Sequence, residues 1–304
     1  MPRDSRWPPA PEPLPGEVID NHTHLRMAVG WTAEGWPGGE TRDLGGHLAL
    51  AASVGVGRVV EVGCDLDSLE TTVALADAHA GVLGAVAIHP NEAVLHAGVR
   101  ETAPDGLDPR AEPRHDVPLD EALAAVARAA SGAGRVRAIG ETGLDYFRAG
   151  PRGRAAQREA FRAHVALAKE LGLALQIHDR DAHADVVATL LADGAPERTV
   201  LHCFSGDVEL ARTCAEQGWV CSFAGPLTHK ANDELRAAAA VLPDHLVVVE
   251  TDAPYLTPVP HRGQPNSSYV MPLTVRALAQ VRQADLERTC ALVTANAERL
   301  YGPW

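Results

Sequence analysis

A set of imidazole and carboxylate side chains in this chain falls where runs of β-branched residues end. The members are His22, His24, Glu141, His178, His202 and Asp252. Imidazole nitrogen and carboxylate oxygen suit Zn, Mn, Fe or Co, and a carboxylate-rich set can also hold Mg. If the fold brings these side chains together, the sequence predicts a site for one or two divalent metal ions.

The set begins with the run Asp20-Asn21-His22-Thr23-His24. Histidines two residues apart on an extended chain point to the same face, which a shared metal ion requires. Asp20 lies upstream as a candidate partner that could orient a ligand histidine. A histidine pair of this spacing is more often incidental, so the prediction rests on the joint pattern and not on this run alone.

Short apolar runs that alternate with alanine-rich amphipathic stretches predict the elements that position this set. Eight runs predict strands, at residues 18–19, 58–63, 82–88, 136–140, 173–177, 199–201, 219–223 and 246–249. The clearest helices are predicted at residues 119–130, 155–171, 207–217, 273–282 and 286–301. Strands that alternate with helices favour a parallel sheet in an α/β protein.

Eight such strands predict a single (β/α)8 barrel of the TIM type with parallel strands, a fold that typically needs ~250 residues. The rival is a doubly wound open sheet, but the chain has neither a G-x-G-x-x-G run after the first strand nor a P-loop. In a barrel the carboxyl ends of the strands converge on one mouth, where active sites lie. The metal-ligand set is therefore expected at that mouth.

The overall charge limits the class of partner. The 304 residues carry a formal net charge of −13. Affinity for phosphate backbones comes mainly from Lys and Arg, so this charge weighs against a broad surface coated by nucleic acid. A locally basic cleft on an acidic body stays compatible with it.

Cysteine use and hydropathy predict a cytoplasmic protein with no membrane segment. The five cysteines are scattered and form no C-x-x-C pair, which is typical of reduced core thiols. The proline-rich start of the chain has no apolar stretch of the kind that secretory signals carry, and no run approaches the length of a membrane span. The sequence does not determine the oligomeric state, and a monomer is favoured.

Two segments stand apart from the pattern of strands and helices. Residues 1–16 predict a proline-rich N-terminal arm, flexible or loosely docked, ahead of the barrel at residues 17–304. Residues 96–118 are polar and contain several prolines, so they predict a surface insertion and not a domain boundary. No role for this insertion follows from the sequence.

Taken in order, six blocks of the sequence resemble the TatD-type metal-dependent deoxyribonucleases of the amidohydrolase superfamily. The blocks are DNHTH at 20–24, AIHP at 87–90, GETGLDY at 140–146, QIHDR at 176–180, LHCFSG at 201–206 and ETDAPYL at 250–256. Arg262-Gly263 followed by Asn266 is a further match, although the intervening Gln264-Pro265 departs from the family's usual sequence at the substrate rim. The resemblance covers nearly the whole chain.

The resemblance implies a TIM-type barrel with two divalent metal ions, for which Mg, Mn and Zn are the candidates. By matched position, it implies that one ion is held by His22, His24 and Asp252. The other ion is implied to be held by His178 and His202, and Glu141 is implied to bridge the two.

The activity implied by the resemblance is that of a 3′-5′ exonuclease-like deoxyribonuclease that cleaves phosphodiester bonds with metal-activated water. A metal ion can lower the pKa of a bound water from 15.7 to about 7, and a metal pair clamps both the attacking and the leaving oxygen. Asp252 is expected to accept a proton from that water as a general base. Glu141 is expected to hold the metals, so these two carboxylates are the candidate catalytic residues.

Contacts to phosphate are expected from arginine, because a guanidinium pairs bidentately with phosphate oxygens. Arg180 shares a strand face with His178, and Arg262 lies in the loop after the eighth strand. His89 ends the third strand and is a candidate pocket residue, with an ordinary hydrogen-bonded histidine as the equal alternative. The expected substrate is the end of a single-stranded DNA or RNA, bound in a local basic cleft.

Two other functions stay open at this point. The same barrel and ligands could hydrolyse a lactone, an amide, a phosphotriester or an aminoacyl ester on tRNA, because one fold hosts many reactions. A non-catalytic metal-binding protein is the third possibility. That all six ligand positions are filled counts against it.

Overall fold

The computed structural model of this chain describes residues 6–39 and 42–304, and each predicted strand is present in it. The strands are β1 (Val18–Thr23), β2 (Val56–Gly63), β3 (Val82–Val86), β4 (Val136–Asp145), β5 (Ala174–Arg180), β6 (Thr199–Leu201), β7 (Val220–Phe223) and β8 (Val247–Val249). They form one sheet in sequence order, and the described registers are parallel. The predicted α/β fold, a TIM-type (β/α)8 barrel, is confirmed.

Helices alternate with these strands. They are α1 (Leu25–Val29), α2 (Leu44–Ser53), α3 (Leu69–Ala78), α4 (Pro90–His96), α5 (Leu119–Gly132), α6 (Pro151–Leu171), α7 (His183–Asp193), α8 (Val208–Gln217), α9 (Asp233–Val241), α10 (Pro272–Val281) and α11 (Leu286–Tyr301). Within the described ranges, none of them is long and apolar enough to cross a membrane.

Local sequence explains where the predicted helices begin and end. The carboxylate of Asp207 accepts hydrogen bonds from the amides of Glu209 and Leu210 and so caps α8. Helix α6 ends at Gly172, whose φ of 61° lies in the left-handed region that favours glycine. The strands carry apolar residues on both faces because helices pack against the outer face of a barrel and side chains from the strands fill its interior.

The chain divides into two compact units. The terminal unit comprises residues 1–61 and 206–303, and the central unit comprises residues 62–205 with Trp304. The strand-end residues predicted as metal ligands divide between them. The terminal unit contains His22, His24 and Asp252, whereas the central unit contains Glu141, His178 and His202.

Strands β4 and β5 of the central unit extend further than predicted. The sequence predicts that β4 ends at Gly140, but its register shifts between Ile139 and Thr142 and pairing continues to Asp145 opposite Arg180. Glu141 therefore lies inside a strand and not in the turn after it. The prediction ended each strand where its apolar run ended, yet the polar residues that follow keep pairing through their backbone.

The described part of the N-terminal arm is packed onto the terminal unit. Trp7 is 4% exposed and meets the ring of Trp36 at a centroid distance of 4.9 Å. The hydroxyl of Tyr269 donates to the carbonyl of Pro8 at 2.7 Å. Residues 6–16 are thus held more firmly than their proline content predicts, because the arm inserts a large aromatic side chain. Residues 1–5 lie outside the described residues, and the domain boundary at residue 16 stays a prediction.

Candidate metal centre

In the terminal unit, two histidines and one carboxylate converge at the ends of β1 and β8. Asp252 Oδ1 lies 3.4 Å from Nε2 of His24 and 3.8 Å from Nε2 of His22. The two imidazole rings have centroids 5.2 Å apart. The structure therefore brings together the three residues that the sequence assigns to the first metal ion.

Backbone hydrogen bonds fix this arrangement. The amide of Asp252 donates to the carbonyl of His22 at 2.9 Å, and the amide of His24 donates to the carbonyl of Ala253 at 2.8 Å. Asp252 has a φ of 52°, in the left-handed region that aspartate tolerates better than most residues. The chain thus turns sharply after β8 and is tied to β1 on both sides of the carboxylate.

Asp20 braces the loop that carries Asp252. Its carboxylate accepts hydrogen bonds from the hydroxyls of Thr251 at 2.6 Å and Ser268 at 2.7 Å, and from the amide of Thr251 at 2.9 Å. Burial raises the pKa of Asp20 to about 7, although these hydrogen bonds oppose the rise. Asp20 was predicted to orient a ligand histidine, whereas these bonds position the loop that carries Asp252.

Glu61, at the end of β2, is a further carboxylate of this unit that the sequence analysis missed. It is buried, and its Oε2 accepts a hydrogen bond from the amide of Leu25 at 2.6 Å. Burial raises the pKa of Glu61 to about 7, and the charge of the nearby His24 opposes the rise. The available signal was a lone carboxylate inside an apolar strand, where an acid is rare unless it has a partner.

In the central unit, three histidines surround the carboxylate of Glu141. Its Oε1 lies 2.6 Å from Nδ1 of His178, 2.9 Å from Nε2 of His202 and 3.4 Å from Nε2 of His89. The structure therefore brings together the three predicted ligands of this unit. It also places His89, predicted only as a pocket residue, beside them.

The electrostatics of this cluster show which protonation states the residues hold. Burial would raise the pKa of Glu141, but the charges of His202 and His89 and the hydrogen bonds from His178 and His202 hold it well below its usual range. Burial would lower the pKa of His178, but the carboxylates of Asp145 and Glu141 raise it to about 9. A cation that binds His178 must therefore displace a proton from it.

Asp145 is a second carboxylate in contact with His178, and the sequence analysis did not assign it a role. Its Oδ2 lies 3.3 Å from Nε2 of His178 and accepts a hydrogen bond from the side-chain amide of Asn91 at 3.1 Å. A carboxylate behind a metal-binding histidine orients the ring and raises its basicity. The signal was available in the run GETGLDY, but it was hidden by the prediction that β4 ends before Asp145.

Two glycines allow β4 and β5 to approach closely around Glu141. A Cβ at Gly140 would lie 2.4 Å from Cβ of Gln176, and a Cβ at Gly143 would lie 2.1 Å from the carbonyl oxygen of His178. Gly143 also has a φ of 138°, which side chains rarely adopt. Any other residue at either position would push apart the strands that present Glu141 and His178.

The donor atoms of each unit fit a divalent cation. In a tetrahedral zinc site the ligand atoms lie ~3.3 Å apart, given metal–ligand bonds of about 2.0–2.2 Å. The separations from Asp252 are 3.4 and 3.8 Å, and those from Glu141 run from 2.6 to 3.4 Å. Small side-chain rotations would bring each set to ligand spacing.

The predicted arginines are placed differently in the two units. Arg180 is exposed at the end of β5, with its guanidinium carbon 3.9 Å from the centroid of the Phe147 ring. Arg262 lines a groove of about 370 Å³ in the terminal unit with Trp31, His229 and Tyr255. A further arginine, Arg148, follows β4 and pairs with Asp105 at 2.8 Å, which favours a structural role for it.

Solved structures share this fold. A TatD homologue from Escherichia coli K12 aligns with a TM-score of 0.76 at 23% identity, over 93% of this chain and 97% of that one. A TatD family hydrolase from Entamoeba histolytica aligns with a TM-score of 0.75 at 18% identity, over 96% of this chain and 100% of that one. At these identities the likeness concerns the fold alone.

Relatives by sequence are closer. An uncharacterized metal-dependent hydrolase TatD from Mycobacterium tuberculosis is 39% identical over 289 residues, which are 94% of this chain and 98% of the relative. A protein from Cronobacter sakazakii named 3′-5′ ssDNA/RNA exonuclease TatD is 32% identical over 84% of this chain and 90% of its own length. The sequence profile of the TatD related DNase family matches residues 19–302. The chain therefore belongs to the TatD family of metal-dependent hydrolases.

Proposed function

We propose that this hydrolase is a nuclease that removes nucleotides from the 3′ end of single-stranded DNA or RNA. The observation that carries the proposal is the groove of the terminal unit lined by Trp31, Tyr255 and Arg262, because it combines aromatic side chains with a guanidinium. The name of the Cronobacter sakazakii relative is in line with it.

In this proposal two divalent ions, Mg, Mn or Zn, are held by the residues that converge in each unit. His22, His24 and Asp252 hold one ion, and His178 and His202 hold the other. Glu141 is assigned to both ions by the family resemblance. The short distances from Glu141 to His178 and His202 support its part in the second set.

When bound, the metal pair supplies a water of lowered pKa and offsets charge on the phosphoryl oxygens. Asp252 accepts the proton of the attacking water, since a carboxylate beside that water can act as a general base. Glu141 stays ionised at neutral pH because its histidine neighbours lower its pKa. No side chain forms a bond to phosphorus, so hydrolysis proceeds in one displacement.

The groove suits the terminal nucleotides of a single strand. Tyr255 is 46% exposed and lines the groove with Trp31, and stacking of one base on an aromatic ring contributes about 1–3 kcal/mol. Arg262 lines the same groove and can pair bidentately with a phosphate. Arg180, exposed beside His178, is the second proposed phosphate contact. These local cations bind substrate on a chain whose net charge is −13.

The test is cleavage of end-labelled oligonucleotides by metal-defined protein in Mg²⁺, Mn²⁺ or Zn²⁺. A 3′ label on single-stranded DNA or RNA should be released at once as a mononucleotide, whereas a 5′ label should shorten stepwise. His202→Ala should lose this activity. His245→Ala should keep it, because His245 is exposed and precedes the start of β8 instead of following the carboxyl end of a strand.

Two outcomes would contradict the proposal. Release of internal fragments would replace the exonuclease with an endonuclease. Absence of cleavage, combined with turnover of a phosphotriester, lactone, amide or aminoacyl-tRNA, would assign the same residues to another ester or amide substrate.

A further inference from the structure

A second group of potential metal ligands lies in the central unit, at the base of the insertion. Glu92 and His96 lie one turn apart on α4, and His115 comes from a short 3-10 helix at Pro113–Asp116 within the insertion. One ligand atom from each of the three lies within 4.8 Å of the others. None of them belongs to the metal centre described above.

The imidazole rings of His96 and His115 each use Nδ1 for a hydrogen bond to the backbone. Nε2 of each ring is therefore directed towards the other members of the group. Nδ1 of His115 accepts from the amide of Glu112 at 2.8 Å, so Nε2 faces Glu92 Oε2, also at 2.8 Å. Nδ1 of His96 donates to the carbonyl of Val117 at 2.8 Å, so its Nε2 keeps a lone pair. Among the described residues, that Nε2 is buried and has no hydrogen-bond partner.

Such an acceptor calls for an explanation, because burying a polar atom without a partner costs free energy. His96 is only 4% exposed, and its ring centroid lies 5.0 Å from that of His115. A cation between the two rings would satisfy the lone pair.

The surrounding charges favour a cation in spite of a neighbouring arginine. The guanidinium of Arg114 donates to Glu92 at 2.7 Å, but it also pairs with Asp67 at 3.3 Å and with Glu112. One guanidinium therefore faces three carboxylates, and the group keeps an excess of negative charge. Arg114 donates to both oxygens of Glu92, to Oε2 at 2.7 Å and to Oε1 at 3.2 Å, so a metal ion bound at Oε2 would leave Arg114 with Oε1.

We propose that Glu92, His96 and His115 bind a divalent zinc ion that fastens the insertion to α4. Two imidazoles and a carboxylate are a ligand set that zinc commonly takes, with the fourth position left to water. The donor atoms lie between 2.8 Å and at most 4.8 Å apart, so shifts of about 0.5–1.5 Å would bring them to the ~3.3 Å spacing of a tetrahedral site. The ion would close the loop between His96 and His115 and restrict its conformations.

The decisive variant is His96→Asn, since the asparagine amide can still donate to Val117 but cannot replace Nε2. Zinc stoichiometry and affinity are measured on the full chain by competition with a chromophoric chelator, for wild type, His96→Asn and the control His245→Asn. We expect His96→Asn to bind one zinc ion fewer, with affinity at that site reduced by more than about 100-fold, beyond what loss of an outer partner costs. Cleavage in Mg²⁺ should be unchanged, which separates this site from the proposed nuclease function.

Equal zinc stoichiometry in wild type and His96→Asn would overturn the proposal. If His96→Asn does not fold, His115→Gln takes its place, because glutamine can still donate to Glu92. Limited proteolysis gives a second measurement on the same proteins. Zinc should slow cleavage within residues 97–112 in wild type and not in the folded variant, and equal protection in both would also contradict the site.

Discussion

Two carboxylates of the central unit, those of Glu141 and Glu92, contact different kinds of basic side chain. Glu141 is approached by the ring nitrogens of three histidines, whereas Glu92 is approached by the guanidinium of Arg114 and by one histidine. Both carboxylates have a pKa held below the usual range against the effect of burial.

The two sites differ in whether the positive charge beside the carboxylate can be removed. The histidines around Glu141 can exchange their protons for a metal ion, because imidazole binds metals in its neutral form. The guanidinium beside Glu92 is permanently charged and stays. A permanent partner suits a structural role, and exchangeable partners suit a centre that binds metal for chemistry.

The largest effect is expected for Glu141→Gln. This change removes the charge that holds three histidines, so kcat/KM on single-stranded DNA should fall by more than about 100-fold. His96→Asn is the matched change in the other cluster and should leave kcat/KM within about twofold. If Glu141→Gln retained wild-type kcat/KM, the two clusters would not differ as described.

A smaller loss is expected for Asp145→Asn. Asp145 touches His178 on the side opposite Glu141, and removing such a partner typically costs about 10–100-fold in metal affinity or activity. Metal titration of activity should therefore shift to higher metal concentration. Asp77→Asn, at an exposed helical position, is the control, and an unshifted titration for Asp145→Asn would show that Asp145 does not position His178.

His164 shows how burial changes the pKa of a histidine whose hydrogen bonds include backbone groups. Nδ1 donates to the carbonyl of Ala160, and Nε2 accepts from the amide of Ile88. Burial lowers its pKa from 6.5 to about 4, opposite in direction to the shift of His178. Below pH 6.5 the unfolded chain therefore takes up a proton that the folded chain does not, and stability falls as the pH falls towards 4.

The contribution of His164 should reduce the free energy of unfolding by about 2 kcal/mol between pH 7 and pH 5. His164→Gln keeps an acceptor for the amide of Ile88 and removes the titration. Between pH 7 and pH 5, the unfolding free energy measured in urea should therefore decrease by about 2 kcal/mol less in His164→Gln than in wild type. Identical pH profiles would refute the assignment of a neutral His164.

The smallest effect is expected for Glu92→Gln in the presence of a chelator. The variant loses a charge-assisted hydrogen bond to Arg114, which should lower the free energy of unfolding by about 1–2 kcal/mol. Urea denaturation of wild type and Glu92→Gln measures the difference. A loss several times larger would mean that Glu92 also supports the fold through contacts beyond those with Arg114 and His115.

The sequence was sufficient for the fold class and for the residues that converge within each unit. The apolar runs mark parallel strands, and in such folds the carboxyl ends of strands carry the functional side chains. His22 and Asp252 could therefore be expected to meet although they lie far apart in the sequence. Their neighbours Asn21 and Glu250, 229 residues apart, meet in the same way through a hydrogen bond.

The rest depended on pairing that side-chain pattern does not encode. The continuation of β4 to Asp145 follows from backbone pairing with β5 across a register shift. For that reason Asp145 could not be recognised as a partner of His178. The contact of His115 with Glu92 requires the insertion to return to α4, and loop paths are not set by hydrophobic periodicity.

In the proposed mechanism, histidines at strand ends hold metal for cleavage of nucleic acid. This mechanism is tested most directly by the rate at which chelator-treated protein releases a 3′-terminal nucleotide from single-stranded DNA as divalent metal is added back. Wild type should be inactive in chelator and recover fully with metal, whereas His202→Ala should stay more than about 100-fold slower at the same metal concentration. Cleavage that persists in chelator, or that His202→Ala performs at the wild-type rate, would contradict this mechanism.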